Sequence, residues 1–116
     1  MRFVHINIVV VEPERSASFY QTYLLPNATV VLLGDSLHLR DKDSDLAFTA
    51  GQPAAANGSH HGFVADSVER IDRLAQRLRA DGVEIRDDCV EADFRSIKFL
   101  DPDEYEIEVY WERDWP

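Results

Sequence analysis

Four histidines, one cysteine and 22 carboxylates are the side chains of this 116-residue sequence with the most chemistry to offer. Imidazole and carboxylate are the ordinary ligands of borderline divalent metals, and they are also the usual proton carriers of enzymes. The distribution of the histidines is informative. His5 and His60 stand at corresponding places in two runs of strand-like sequence, 55 residues apart, whereas His61 follows His60 directly and His38 falls alone in a short apolar run. The sequence has no glycine-rich phosphate loop, Ser/His/Asp arrangement or CxxC pair. Cys89 is flanked by Asp87, Asp88 and Glu91, carboxylates that hold a thiol in its unreactive protonated form, so a bland or partly buried thiol is expected rather than a nucleophile.

The elements that must position these groups are legible from periodicity. Phe3–Val11, rich in β-branched residues, reads as a buried first strand rather than a signal peptide. Pro13 suits the first turn of a helix carrying Phe19, Tyr20, Tyr23 and Leu24 on its apolar side, and Pro26 is expected to end it. Thr29–Leu33, Ser36–Leu39 and Leu46–Thr49 follow as short strands, the first two joined at Gly34-Asp35. The aperiodic stretch 51–59 is a linker. The pattern then restarts with a strand at His60–Ala65. A helix with a capping box at Asp66 and Glu69 carries Val68, Ile71, Leu74, Ala75 and Leu78 at helical spacing and stops at Gly82. Strands are expected at Val83–Arg86, Phe94–Leu100 and Tyr105–Trp111.

Each half thus reads strand, helix, three strands, and the halves also match residue by residue. A shift of 55 lays His5 on His60, Glu14-Arg15 on Glu69-Arg70 and Gln21 on Gln76. A shift of 60 lays Asp41 on Asp101, Asp43 on Asp103 and Phe48 on Glu108. Duplication of a βαβββ unit is the favoured reading. The expected organisation is one domain over 1–116, with a first module over about 1–50, the linker, and a second module over about 60–116.

On these residues the chain resembles the vicinal oxygen chelate superfamily, which includes glyoxalases, extradiol dioxygenases, fosfomycin-resistance enzymes and bleomycin-binding proteins. The resemblance is carried by Val4-His5-Ile6-Asn7 with Glu14–Tyr20, by His60-His61-Gly62-Phe63, and most specifically by Phe94–Phe99 running into Asp101-Pro102-Asp103-Glu104-Tyr105-Glu106-Ile107-Glu108-Val109. It implies an α+β fold of two βαβββ modules forming an open, barrel-like cavity. It places metal ligands on the first and last strand of each half, which here are His5, His60 and Glu108, with the fourth position, Phe48, unable to ligate. Two imidazoles and a carboxylate leave sites open on a divalent Fe, Mn, Zn or Ni ion for a bidentate substrate. The family usually has glycine where Glu104 stands, and a left-handed backbone there costs more for glutamate.

Strand alternation then sorts the neighbours. Glu106 and Tyr110 share the face of Glu108, while Ile107, Val109 and Trp111 face the helix. Ser96 and Lys98 share the cavity side, and Asn7 lies on the face of His5. Lys98 and Glu106 are the candidate catalytic groups, for oxyanion stabilisation and proton transfer, with ordinary solvated strand residues as the alternative. Asn7, Ser96 and Tyr110 are the candidate substrate contacts. His61 belongs on the opposite face to His60, packed behind the sheet or facing solvent, and His38 reads as a surface strand residue.

Composition bounds the partners. Hydrophobic residues at 45% and charged residues at 29% are ordinary for a globular protein. A net charge of −10 repels phosphate backbones and anionic membranes, and no apolar run approaches the roughly 20 residues needed to cross a bilayer. A lone cysteine fits the reducing cytoplasm. The expected partner is a small oxygenated metabolite, and a homodimer is implied by the resemblance, with Trp111 and Trp115 as candidate contacts. The activity implied is metal-dependent isomerase, lyase or ring-cleaving dioxygenase chemistry. The alternative is a metal-free protein that sequesters an aromatic or peptide-like compound, as the bleomycin-binding proteins do.

Overall fold

In the computed structural model, residues 1–54 and 60–115 are described, so the last five residues of the expected linker lie outside the described part. The chain divides into two units, Met1–Ala55 and Ala56–Pro116. In the first, β1 (His5–Val10) leads into α1 (Pro13–Tyr23), followed by β2 (Thr29–Leu33), β3 (Ser36–Asp41) and β4 (Ser44–Ala50). The sheet order is β1-β4-β3-β2, with β1 parallel to β4 and the remaining pairs antiparallel. The second unit repeats this order: β5 (His60–Val64), α2 (Val68–Ala80), β6 (Ile85–Val90), β7 (Phe94–Leu100) and β8 (Glu106–Glu112), arranged β5-β8-β7-β6. The fold is α+β, built from two βαβββ modules, and neither four-stranded sheet closes on itself. No described helix is long and apolar enough to cross a membrane.

Each helix covers one face of its own sheet. In module 1, Ile8, Val10, Leu37, Leu39, Leu46 and Phe48 are all at most 7% exposed. They meet Ser16, Ala17 and Tyr20 of α1, the Tyr20 and Phe48 rings lying 5.2 Å apart. The buried stripe is therefore narrower than the expected aromatic face, because Phe19 and Tyr23 pack edge-on against each other at its margin. The helix also ends earlier than Pro26 required. The N–H groups of both Leu24 and Leu25 donate to Tyr20 O at 2.9 Å, closing the last turn.

In module 2, Ile71, Ala75 and Leu78 of α2 bury against Ile97, Phe99, Ile107 and Val109. The helix cap is Ser67, whose Oγ accepts from Arg70 N at 3.2 Å, not the expected Asp66. Asp66 instead reaches the Arg70 guanidinium at 3.4 Å. A shorter side chain one residue later reaches the orphan N–H better.

The turn before β8 carries a strained residue. Glu104 has φ 69°, the left-handed conformation that favours glycine. Asp101, 5% exposed, holds the turn open: its Oδ1 accepts from Asp103 N and Tyr105 N at 2.9 Å each, and its backbone O accepts from Glu104 N at 3.0 Å. Replacing Glu104 with glycine relieves that strain and is expected to raise stability by about 1 kcal/mol. A shift of the urea midpoint to higher concentration checks this, and a lower midpoint would argue that the Asp101 hydrogen bonds remove the strain already.

The repeat is one residue out of step with the sequence match. His5 pairs with Asp45 as His60 pairs with Glu106, and Asn7 pairs with Ala47 as Gly62 pairs with Glu108. The first-half counterpart of Glu108 is therefore Ala47, not Phe48. The extra residue lies in the turn between β7 and β8, and a one-residue slip moves a strand position to the other face. Phe48 accordingly packs on α1, and the conclusion that the fourth position cannot ligate stands on alanine instead.

Candidate metal-ligating face of each module

The side chains of chemical interest lie on the sheet face turned away from the helix. In module 2, His60 on β5 and Glu108 on β8 converge across the parallel pair, with His60 Nε2 3.1 Å from Glu108 Oε1. Glu108 is anchored from the other side, because Ser96 Oγ donates to its Oε2 at 2.6 Å and Ser96 is only 1% exposed. Glu106 Oε1 lies 3.8 Å from His60 Nδ1, too long for a hydrogen bond. Lys98 stands opposite Glu108 in the β7–β8 register, and Tyr110 opposite Ser96. Tyr110 stacks on Phe94 and meets Trp115 edge-on. Its ring also lies across Gly62, where an added Cβ would come within 3.3 Å of Tyr110 Cε1. Burial first, then Glu108 and Glu112, push the Tyr110 phenol above its ordinary pKa, so it stays an O–H donor at neutral pH.

In module 1 the same face carries an unanticipated cluster. Asp45 at the start of β4 accepts from two imidazoles: its Oδ2 is 3.0 Å from His5 Nδ1 and its Oδ1 is 2.7 Å from His38 Nδ1. Arg40 Nε approaches the same Oδ1 at 3.4 Å, and the His5 and His38 rings are near parallel at 5.9 Å. The ligand atoms of His5, His38 and Asp45 all lie within 4.8 Å of one another. Desolvation pushes the Asp45 carboxyl up, but hydrogen bonds and charge from His38 and Arg40 outweigh it and hold the pKa below the ordinary value. Asn7 is occupied locally, its Oδ1 accepting from Thr49 Oγ1 at 2.8 Å, with Ser36 Oγ 3.0 Å from the same hydroxyl.

His38 is thus 8% exposed and hydrogen-bonded, not a surface residue as expected. The pleat put it on the face of Ser36 and Arg40. What the sequence could not show was that the tight β3–β4 turn brings Asp45 under it. Asp45 was also missed, although its place opposite His5 in the β1–β4 register matches that of Glu106 opposite His60.

His61, opposite Ile107, lies on the α2 side of the sheet. Burial pushes its imidazole down to about 4, and the neighbouring His60 adds to the shift. The unfolded chain therefore binds a proton near pH 6.5 that the folded chain refuses until about pH 4. Stability of the metal-free protein is expected to fall as pH drops through that window. The partial exposure of His61 keeps the loss on the order of 2 kcal/mol. His61→Gln should flatten this part of a urea-midpoint-against-pH curve, and an unchanged slope would assign it to other groups. Cys89 is a half-buried free thiol, and desolvation, then Glu91 and Asp87, push its pKa up, in keeping with the inert residue expected.

The fold is that of a known family. The sequence pattern of the Glyoxalase/Bleomycin resistance protein/Dioxygenase superfamily matches residues 2–109, and the chain belongs to that superfamily. It is 28% identical to a probable trivalent organoarsenical cleaving enzyme of Bacillus subtilis (strain 168), over 96% of this chain and 80% of that protein. Among solved structures it is similar to a possible glyoxalase from Bacillus cereus, with 25% identity, a TM-score of 0.79 and coverage of 94% and 97% of the two chains. The fosfomycin resistance protein FosX from Listeria monocytogenes shares the fold at 22% identity and a TM-score of 0.81, over 96% and 93%.

Proposed function

We propose that this protein is a divalent-metal-dependent enzyme acting on a small oxygenated metabolite, with His60 and Glu108 as ligands and His5 as the third, the last resting on the family resemblance alone. The observation that carries the reading is the convergence of His60 Nε2 and Glu108 Oε1 at 3.1 Å, with Ser96 fixing the other carboxylate oxygen. An imidazole and a carboxylate held this way present the mixed N/O donor set that Fe(II), Mn(II), Zn(II) and Ni(II) accept, and the donor types do not choose among these ions. When bound, the ion supplies Lewis acidity to two vicinal substrate oxygens.

The chain's own groups divide the remaining work. Glu106 and Lys98, on the same face as Glu108, are the candidates for moving a proton and for steadying a developing oxyanion. Asn7, Ser96 and Tyr110 are the candidate substrate contacts. Isomerase, lyase and ring-cleaving dioxygenase chemistry all suit this set, and the name of the Bacillus subtilis relative adds cleavage of an organoarsenical to the reactions worth testing. A homodimer in the cytoplasm is the assembly and place we assign, with Trp111 and the half-exposed Trp115 as contact candidates.

Metal analysis of untagged protein purified without chelators tests the reading. About one transition metal per chain, lost in His60→Ala and in His5→Ala, is the expected result. Iron would direct substrate trials toward oxygenation, and zinc or nickel toward isomerase or lyase reactions. A wild type that is metal-free and takes up none of the four added ions would sink the proposal in favour of a sequestering binder.

A further inference from the structure

We infer that Asp45 is a positioning residue, one that holds His5 in the tautomer and orientation a metal ligand needs. The inference rests on the reading of His5 as a ligand. An ionised carboxylate can only accept hydrogen bonds, so the imidazole nitrogen facing it must carry the proton. His5 Nδ1, 3.0 Å from Asp45 Oδ2, is therefore N–H, and the lone pair is confined to Nε2. A neutral imidazole with Nε2 bare is the state that ligates a divalent ion without first losing a proton or flipping its ring.

Asp45 is itself fixed before His5 engages it. Its other oxygen accepts from His38 Nδ1 at 2.7 Å, and His38 is 8% exposed, so its ring has little room to turn. Arg40 Nε adds a second contact to that oxygen at 3.4 Å. Two side chains of β3 thus set the rotamer of Asp45, and its free oxygen is aimed across the β4–β1 pair at His5, a side chain 46% exposed that would otherwise sample several rotamers. The register of this pair, though not its hydrogen bond, recurs in the second module. In module 2 the residue opposite the first-strand histidine is again a carboxylate, Glu106, on the Nδ1 side of His60. There Glu106 stands beyond hydrogen-bond distance, and His60 instead meets the Glu108 carboxylate through Nε2. Each module thus places an acid opposite the histidine of its first strand, and in module 1 that acid hydrogen-bonds Nδ1.

The test reads the His5 tautomer directly, from imidazole ¹⁵N shifts in metal-free protein, together with Zn²⁺ affinity by competition with a chromophoric chelator. In wild type, Nδ1 should be protonated and Nε2 bare. Asp45→Ala should shift His5 toward the Nε2–H tautomer and weaken Zn²⁺ binding by about 10–100-fold, the usual effect of losing an outer hydrogen-bond partner. Asp45→Asn, isosteric and safer for folding, should act in the same direction, and Asp45→Glu should restore the Nδ1–H form at least in part. A wild-type His5 protonated on Nε2 would overturn the inference, as would Asp45 variants that fold and keep both the tautomer and the affinity. If His5→Ala leaves Zn²⁺ binding unchanged, the ligand assignment of His5 fails instead. The two failures are separable because the tautomer is measured without metal.

Discussion

Glu108→Ala is expected to abolish stoichiometric metal binding while leaving the fold in place. Its Oε1 is 3.1 Å from His60 Nε2, and removing the carboxylate takes away a ligand and the only negative charge of the proposed set. The loss should exceed the roughly 10–100-fold that follows removal of an outer partner. Ser96→Ala provides that lesser comparison, because Ser96 only steadies Oε2, at 2.6 Å. The structural cost of Glu108→Ala is small by contrast. It orphans one buried hydroxyl on Ser96, worth about 1–3 kcal/mol. Metal titration followed by calorimetry, with circular dichroism as the folding control, separates the two effects. Equal metal affinity in Glu108→Ala and wild type would remove Glu108 from the ligand set, whatever the activity.

Arg95→Ala is expected to be the most destabilising change outside the apolar core, by about 3 kcal/mol. Arg95 lies on the α2 face of β7 at 5% exposure, where its guanidinium ties three elements together. Nε donates to Asp72 of α2 at 3.1 Å, and Nη1 donates to Asp88 of β6 at 2.7 Å and to the carbonyls of Cys89 and Ser96 at 3.2 and 3.0 Å. Removing it strips donors from two backbone carbonyls and leaves a void between helix and sheet. Asp88 keeps a partner in Arg79 at 2.8 Å, which limits the damage. Asp72→Ala, half exposed, should cost less than about 1 kcal/mol, since an exposed ion pair contributes little. Arg95→Lys should recover only part of the loss, because an ammonium cannot reproduce the fork. Urea midpoints at neutral pH rank the three variants. An Arg95→Ala loss no larger than that of Asp72→Ala would show the buried contacts to be dispensable.

The division between what was legible beforehand and what was not follows the range of the interactions. The βαβββ repeat, the helix faces of β7 and β8, and the joint placement of Ser96, Lys98, Glu106, Glu108 and Tyr110 away from α2 were all written in the sequence. They depend on period-two alternation and on apolar spacing, which act within one element. The left-handed turn at Glu104 was foreshadowed differently, by the resemblance to a family that usually has glycine at that place.

Only the tertiary structure decided register and convergence. The repeat in the sequence aligns Phe48 with Glu108, whereas the ladder aligns Ala47, because the extra residue in the β7–β8 turn is visible only as a pairing. The His5–Asp45–His38 cluster joins three strands, with His5 and Asp45 40 residues apart, and Arg95 joins a helix to two strands. Nothing in a linear pattern specifies such meetings, since each requires that separate strands first be brought into pairing by the burial of their other faces. The sequence determined which side chains each face of a strand presents, and the paired sheet determined which of them touch.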